Sequence, residues 1–373
     1  MTKPLHLNLF SLLAVLAASL LGAGAALATE PATRGDVENL RERIKALEAE
    51  KAPAKDPFAL GAIGKHLRIG GLIELEASYA DVEGADESSD LVLATAQLDV
   101  IVDINDHLSG YVILLHEEDD TEPIEVDEAA FTLAHTIDAL GGEIAFTGGK
   151  LYVPFGVFNS NFISDPLTLE LGETNNTAGI LAWAGGMAEV NLGVFNGDTD
   201  TAGDNDAIDS WVASLNVTPV ENLTFGASWI SDIAESDIGL VADEDLYEDS
   251  VAGFGAHVNA ALGAFTLFGE YLSAVDNFDE PVIAADNPDD DIITGDRPYA
   301  WNAELAFSPE ERWLVALKAE GAKDFLNDLK RYGAVANYGI FNNAIVGLEY
   351  LYGDEDGDED KSHTVTAQLA FEF

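Results

Sequence analysis

From residue 66 to the end, the chain repeats one pattern: runs of about ten residues alternate apolar and polar positions, and the connections between them alternate short and long. A period of two gathers the apolar side chains of a strand on one face. In the first run Leu67, Ile69, Ile73, Leu75 and Tyr79 share a face, against Arg68, Glu74, Glu76 and Ser78. In the second, Val92, Ala94, Leu98, Val100 and Val102 oppose Thr95, Gln97, Asp99 and Asp103. Tyr299, Trp301, Leu305 and Phe307 oppose Asn302, Glu304 and Ser308; Val365, Ala367, Leu369, Phe371 and Phe373 oppose Thr366, Gln368 and Glu372.

The connections separate a membrane barrel from a soluble β protein. Short turns fall at 105–106, 140–142, 185–186, 219–222, 262–263, 308–310 and 342–343. Longer acidic loops lie between them, at 81–90, 117–124, 151–176, 197–206, 234–249, 277–297, 322–329 and 353–361. Seven short and eight long connections make 15, hence 16 strands, with short and long strictly alternating. A barrel with two unlike ends needs this alternation, and a soluble sandwich does not. The expected fold is all-β: a 16-stranded antiparallel transmembrane β-barrel over 66–373, apolar face to lipid and polar face to a wet lumen. Tyr79, Tyr152, Trp211, Trp229, Trp313 and Tyr350 suit interfacial aromatic girdles. The terminal Phe371 and Phe373 suit the insertion signal that barrel assembly machinery reads.

The segment before the barrel divides in three. Residues 1–28 read as a signal peptide, with Lys3, an apolar Leu9–Leu21 core and Ala26-Leu27-Ala28 at the cleavage site. Residues 29–51 read as a short periplasmic helix whose Val37, Leu40, Ile44 and Leu47 recur as a coiled-coil seam. That helix is either an oligomerising or wall-facing stalk, or a weak helix without a partner. Pro53 and Pro57 stiffen a linker over 52–65.

Sixty-eight acids against 17 bases give a formal charge of −51, which excludes nucleic acid as a partner. The apolar fraction of 47% excludes a disordered acidic chain. With no cysteine there are no disulfides and no thiolate chemistry. His66, His107, His116, His135, His257 and His363 are scattered without a serine elbow or an HExxH, so no enzyme is expected. Acids at alternate positions in 354–360, and similar runs in 198–206 and 286–291, either hold Ca²⁺ or form a solvated surface; no cofactor is expected otherwise.

A barrel of about 16 strands is too wide for side chains to fill, so an aqueous channel for small solutes is expected. The long connection 151–176 carries Phe155, Phe158, Phe162 and Leu167, which are out of place on a loop in water. It either folds inward to narrow the pore, or caps the wall or an oligomer interface. Its constriction candidates are Lys150, Tyr152, Pro154, Phe155, Phe158, Asp165, Glu170 and Glu173. Parity or position puts Arg68, Lys150, Lys318 and Arg331 at the lumen with Glu74, Glu76, Asp99, Glu189, Glu270, Glu304, Glu320 and Glu349, an excess of acid that predicts cation preference.

The run Gly149-Lys150-Leu151-Tyr152-Val153-Pro154-Phe155-Gly156, followed by Ser164-Asp165-Pro166-Leu167-Thr168-Leu169-Glu170-Leu171-Gly172-Glu173-Thr174, resembles the LbtU-type siderophore porins. Its first part is also similar to the phosphate-selective porins. The resemblance implies an outer-membrane porin that takes up ferric siderophore without a plug domain. Porin analogy and the coiled-coil seam suggest a homotrimer. Two other readings remain open: a general diffusion porin, and a structural barrel tethered to the cell wall through the coiled coil.

Overall fold

The computed structural model describes residues 66–118, 124–203, 207–241, 247–278, 297–310, 312–355 and 361–373. The signal peptide, the coiled-coil seam and the linker lie outside these residues. So do most of the acids of 354–360, all of 286–291, and 204–206 of the 198–206 run.

Sixteen antiparallel strands close into one barrel in chain order, with the last pairing the first. They are β1 (Leu67–Val82), β2 (Ser88–Asn105), β3 (Leu108–Leu115), β4 (Glu125–Ile137), β5 (Gly142–Tyr152), β6 (Asn175–Gly185), β7 (Ala188–Phe195) and β8 (Ser210–Val220). The second half has β9 (Leu223–Ile230), β10 (Gly253–Leu262), β11 (Phe265–Ala274), β12 (Tyr299–Glu310), β13 (Trp313–Lys323), β14 (Lys330–Phe341), β15 (Ala344–Asp354) and β16 (Lys361–Glu372). Strand count, order and the short–long alternation agree with the sequence pattern. The β1–β2 connection shortens to 83–87, because both strands run on past the expected loop ends.

Closure is completed at the last residue. The Phe373 amide donates to the Gly71 carbonyl and the Gly71 amide to the Phe373 carbonyl, each at 3.1 Å. The outward face is a belt of exposed apolar side chains, among them Ile73, Phe131, Leu181, Leu215, Leu267, Leu317 and Leu369. Trp211, Trp313 and Tyr350 point outward with them. Exposed apolar surface on this scale is what lipid covers.

Part of the second strand departs from simple alternation. The β1–β2 register slips between Glu74 and Glu76: Glu74 pairs Thr95, while Glu76 pairs Val92. This bulge turns Val92 inward beside Glu76, and Ala94 lines the lumen. Leu91, 64% exposed, takes the outward place expected of Val92. A single extra residue shifts the parity of everything on one side of it.

Candidate functional site

Beyond β5 the chain does not leave the barrel mouth; it turns into the lumen. Gly156 makes this turn at φ +81°, and a Cβ there would sit 2.3 Å from the Phe158 ring. Phe158 itself takes φ 54°. The inward loop (153–174, below L3) then crosses to the far wall and returns through a short helix, α1 (Leu167–Gly172). Phe155, Leu167 and Leu171 are buried with Phe195, Ile230, Ile233, Leu240, Tyr247, Leu272 and Phe278. This internal core joins L3 to the wall and to neighbouring long loops. A Cβ on Gly172 would fall 2.3 Å from Leu272 Cδ2, so α1 seats flush on β11 only because that residue is glycine.

An irregular backbone inside a barrel leaves amide donors that must be satisfied. Four wall glutamates supply the acceptors. Glu270 on β11 accepts from the Val157 and Phe158 amides at 2.7 and 3.0 Å and from Thr168 Oγ1 at 3.0 Å. Glu304 on β12 accepts from Ser160 Oγ at 2.6 Å, the Asn161 amide at 2.9 Å and Asn161 Nδ2 at 3.0 Å. Glu349 on β15 accepts from the Ile163 amide at 2.6 Å and from Ser164 Oγ at 2.5 Å. Glu320 on β13 accepts from the Leu167 amide at 2.9 Å.

Two cations complete the seam. Lys318 Nζ lies 3.6 Å from Glu304 and 3.8 Å from Glu320, and sits 4.6 Å from the centroid of the Phe162 ring. Arg331 Nε lies 2.7 Å from Glu320, and its Nη2 donates to the Asp165 carbonyl at 2.8 Å. These six residues point inward, as parity predicts. Their role differs from the expectation of a charged, open lumen lining: all but Arg331 are at most 5% exposed and hold the loop.

Other predicted residues are placed differently. Lys150 shares the outward face with Phe131 and Phe146, and its ammonium donates to the Val126 carbonyl at 3.1 Å. It is not a lumen cation, because the strand pairing gives it the parity opposite to buried Leu151. Arg68 is tied to Asp103 at 2.9 Å and exposed at the short-turn end. Asp99 accepts from Gln97 at 2.7 Å, and Glu189, also near the short turns, accepts from Asn191 at 3.0 Å. The Tyr152 hydroxyl donates to Asp127 at 2.9 Å. Pro154 precedes the turn at Gly156 and is half-buried.

With L3 and its core filling one side, open space remains against β1–β4, β14 and β16. A cavity of about 740 Å³ opens toward the long loops. Its lining carries Glu74, Glu76, Glu117, Asp127, Glu128, Asp165, Glu170 and Glu173 against one cation, Arg331. Burial, with Asp237 nearby, pushes the Glu173 carboxyl up to about 8, and burial lifts Asp237 to about 6. In the loop after β9, burial likewise raises Asp232 to about 6 and Glu235 to about 7. Glu235 accepts from the Asp198 amide at 2.7 Å and from Ser210 at 2.8 Å, bonds that resist the rise without cancelling it. Among the described residues no group of three or more His, Asp or Glu side chains is arranged to hold a metal ion.

The loop and its aromatic anchors are legible in the sequence; the burial of Leu171, the lining by Asp127 and Glu128 and the acceptor role of the wall glutamates are not. The signal for that role was the run of Ser and Asn at 159–164 without secondary structure, a stretch rich in donors.

No known family profile matches the chain. A UPF0422 protein of Coxiella burnetii is 25% identical over 222 residues, 55% of this chain and 46% of that protein. A UPF0422 protein of Legionella pneumophila is 24% identical over 207 residues, 52% of this chain and 38% of that protein. The matched part thus spans less than half of these relatives. Among solved structures, the outer membrane channel DcaP of Acinetobacter baumannii superposes with TM-score 0.60 at 13% identity, covering 82% of this chain and 97% of that one. Salmonella typhi OmpF, in a complex with daunomycin, gives 0.58 at 12% identity over 82% and 97%. An anion-selective porin from Comamonas acidovorans gives 0.56 at 12% identity over 82% and 99%. At these identities the likeness is one of fold: the chain has the barrel architecture of outer-membrane porins.

Proposed function

We propose that the protein is an outer-membrane diffusion channel, not an enzyme, with a preference for cations. The observation that carries this reading is the acid-lined cavity left open beside the inward loop, eight acidic side chains facing one guanidinium, of which Glu173 is mostly protonated at neutral pH. Carboxylates around a confined aqueous path attract cations and repel anions, most strongly within a Debye length of about 8 Å at physiological salt. The porin-type fold and the short–long alternation support it, with the long loops outside the cell and the termini in the periplasm. The test is the reversal potential of the reconstituted protein across a KCl gradient. A potential toward the K⁺ equilibrium value is expected; a Cl⁻-selective current, or none from folded protein, overturns the reading.

Within this reading, the resemblance to siderophore porins makes a ferric siderophore the candidate cargo. The acidic vestibule favours a neutral or cationic ferric complex over an anionic one. Uptake of a positively charged ferric hydroxamate into proteoliposomes, without uptake of an anionic ferric catecholate, is the expected result. The seam Val37, Leu40, Ile44 and Leu47 would bring several barrels together, three by analogy with porins; crosslinking of the full chain reads the number.

A further inference from the structure

Two cavities lie along the open side of the lumen. The larger opens toward the long loops, and a second of about 250 Å³ opens toward the short turns, lined by Asn342, Asn343 and Glu372. They share five lining residues: Leu72, Glu74 and Gln368 from the wall, and Phe162 and Ile163 from L3. The two cavities meet at these five side chains, so a solute moving from one cavity to the other would pass between them.

The neck has unlike sides. Half-buried Ile163 forms an apolar shelf, backed by the rim of Phe162, which is only 9% exposed and packs among Ala306, Ala316, Val335 and Leu351, and that shelf is fixed. The Ile163 amide is held by Glu349 at 2.6 Å, and Lys318 sits over the Phe162 ring. Ile163 also packs on the wall at Gly347, where an added Cβ would lie 3.2 Å from its Cδ1. Opposite stand Glu74 and Gln368. The Gln368 amide nitrogen donates to Glu76 at 2.9 Å, which leaves its carbonyl oxygen for a solute. Glu74 is the only ionisable side chain of the five. Among the described residues its carboxylate accepts no hydrogen bond, unlike the four glutamates that hold L3.

We propose that Glu74 and the Phe162–Ile163 shelf together determine specificity, and that the neck selects organic cations carrying a compact apolar body. The proposal rests on the channel reading and deepens it. The acidic vestibule gathers any cation. At the neck a small hydrated ion gains only from Glu74, an apolar alcohol gains only from the shelf, and an anion is repelled. A solute with both an ammonium and an apolar face gains from both at once.

The test uses single-channel recording of the full chain with four probes: benzyltrimethylammonium, tetramethylammonium, benzyl alcohol and benzoate. Discrete blockades are expected from benzyltrimethylammonium, with longer residence than from tetramethylammonium and none from the other two. Glu74→Gln shortens benzyltrimethylammonium residence by about tenfold. Ile163→Ser shortens it by about fourfold while leaving tetramethylammonium unaffected. Glu128→Gln, changed in the vestibule away from the neck, slows arrival without changing residence. Glu74→Asp, which keeps the charge, falls between wild type and Glu74→Gln and serves if the glutamine variant does not fold. Equal residence in Glu74→Gln and wild type, or equal residence of the two ammonium probes, overturns the neck assignment while the channel stands. Absence of current from folded wild type removes the channel reading, and the neck with it.

Discussion

The glutamates that hold L3 each offer two oxygens to a stretch of chain that carries several donors. Glutamine in the same place offers one oxygen and turns an NH₂ toward another N–H. Glu349→Gln is therefore expected to release the Ile163–Ser164 tip at a cost of about 2 kcal/mol. It should appear as a lower temperature for the gel-mobility shift on heating in SDS and as noisier open-channel current. Glu304→Ala is expected to cost more, about 3–5 kcal/mol, because it strips one partner from buried Lys318. Replacing Lys318 by Met in the same chain should recover part of that loss. The loop carboxyls give a pH dependence. Glu173 and Glu235 are raised above the ordinary value of 4.5, to about 8 and about 7, so the folded loops bind protons that the unfolded chain has released. Their contribution is complete below about 4.5 and is lost as pH rises through 7 and 8. Hydrogen exchange in residues 231–241, corrected for intrinsic rate, is expected to show more protection at pH 5 than at pH 8.5. Ionisation of Glu173 also adds a negative charge to the vestibule, so the K⁺ to Cl⁻ permeability ratio should rise between pH 7 and 9 and stay flat there in Glu173→Gln.

At the scale of elements, L3 fills one side of the lumen, and β1 and β4 supply four of the eight vestibule acids. Replacing residues 157–165 by a short Gly-Ser bridge is expected to raise single-channel conductance severalfold while keeping cation preference, since Glu74, Glu76, Asp127 and Glu128 remain. Loss of cation preference in that variant would shift selectivity from the wall to the loop. The same division shows how much the sequence could reveal. Strand count and strand order were legible, because period-two alternation and loop length are local properties. The inward loop was legible in part, through Phe155, Phe162 and Leu167. What it binds was not, because the Ile163 amide meets Glu349 across 186 residues of sequence and no local pattern records that pairing. Parity gave Glu304 and Glu320 their face but not their neighbours. Parity failed at Val92 and Ala94, where one bulge residue reversed it, and at Lys150, which position alone had placed inward.

For the whole molecule, every strand has two neighbours, so the sheet has no edge to expose to lipid. Cooperative, heat-dependent gel mobility follows, and a chain lacking Phe373 should assemble more slowly, because both hydrogen bonds to Gly71 end there. The placement of the four loop-holding glutamates has a further consequence, for the order of events in the cell. L3 is synthesised between β5 and β6, yet its acceptors lie on β11, β12, β13 and β15. Until those strands arrive, the loop has its contacts to β7 and β9, through Phe195, Ile230 and Ser228, but lacks its carboxylate partners. L3 can take its final place only after nearly the last strand has arrived, so the feature that shapes the inside of the finished barrel is among the last to form.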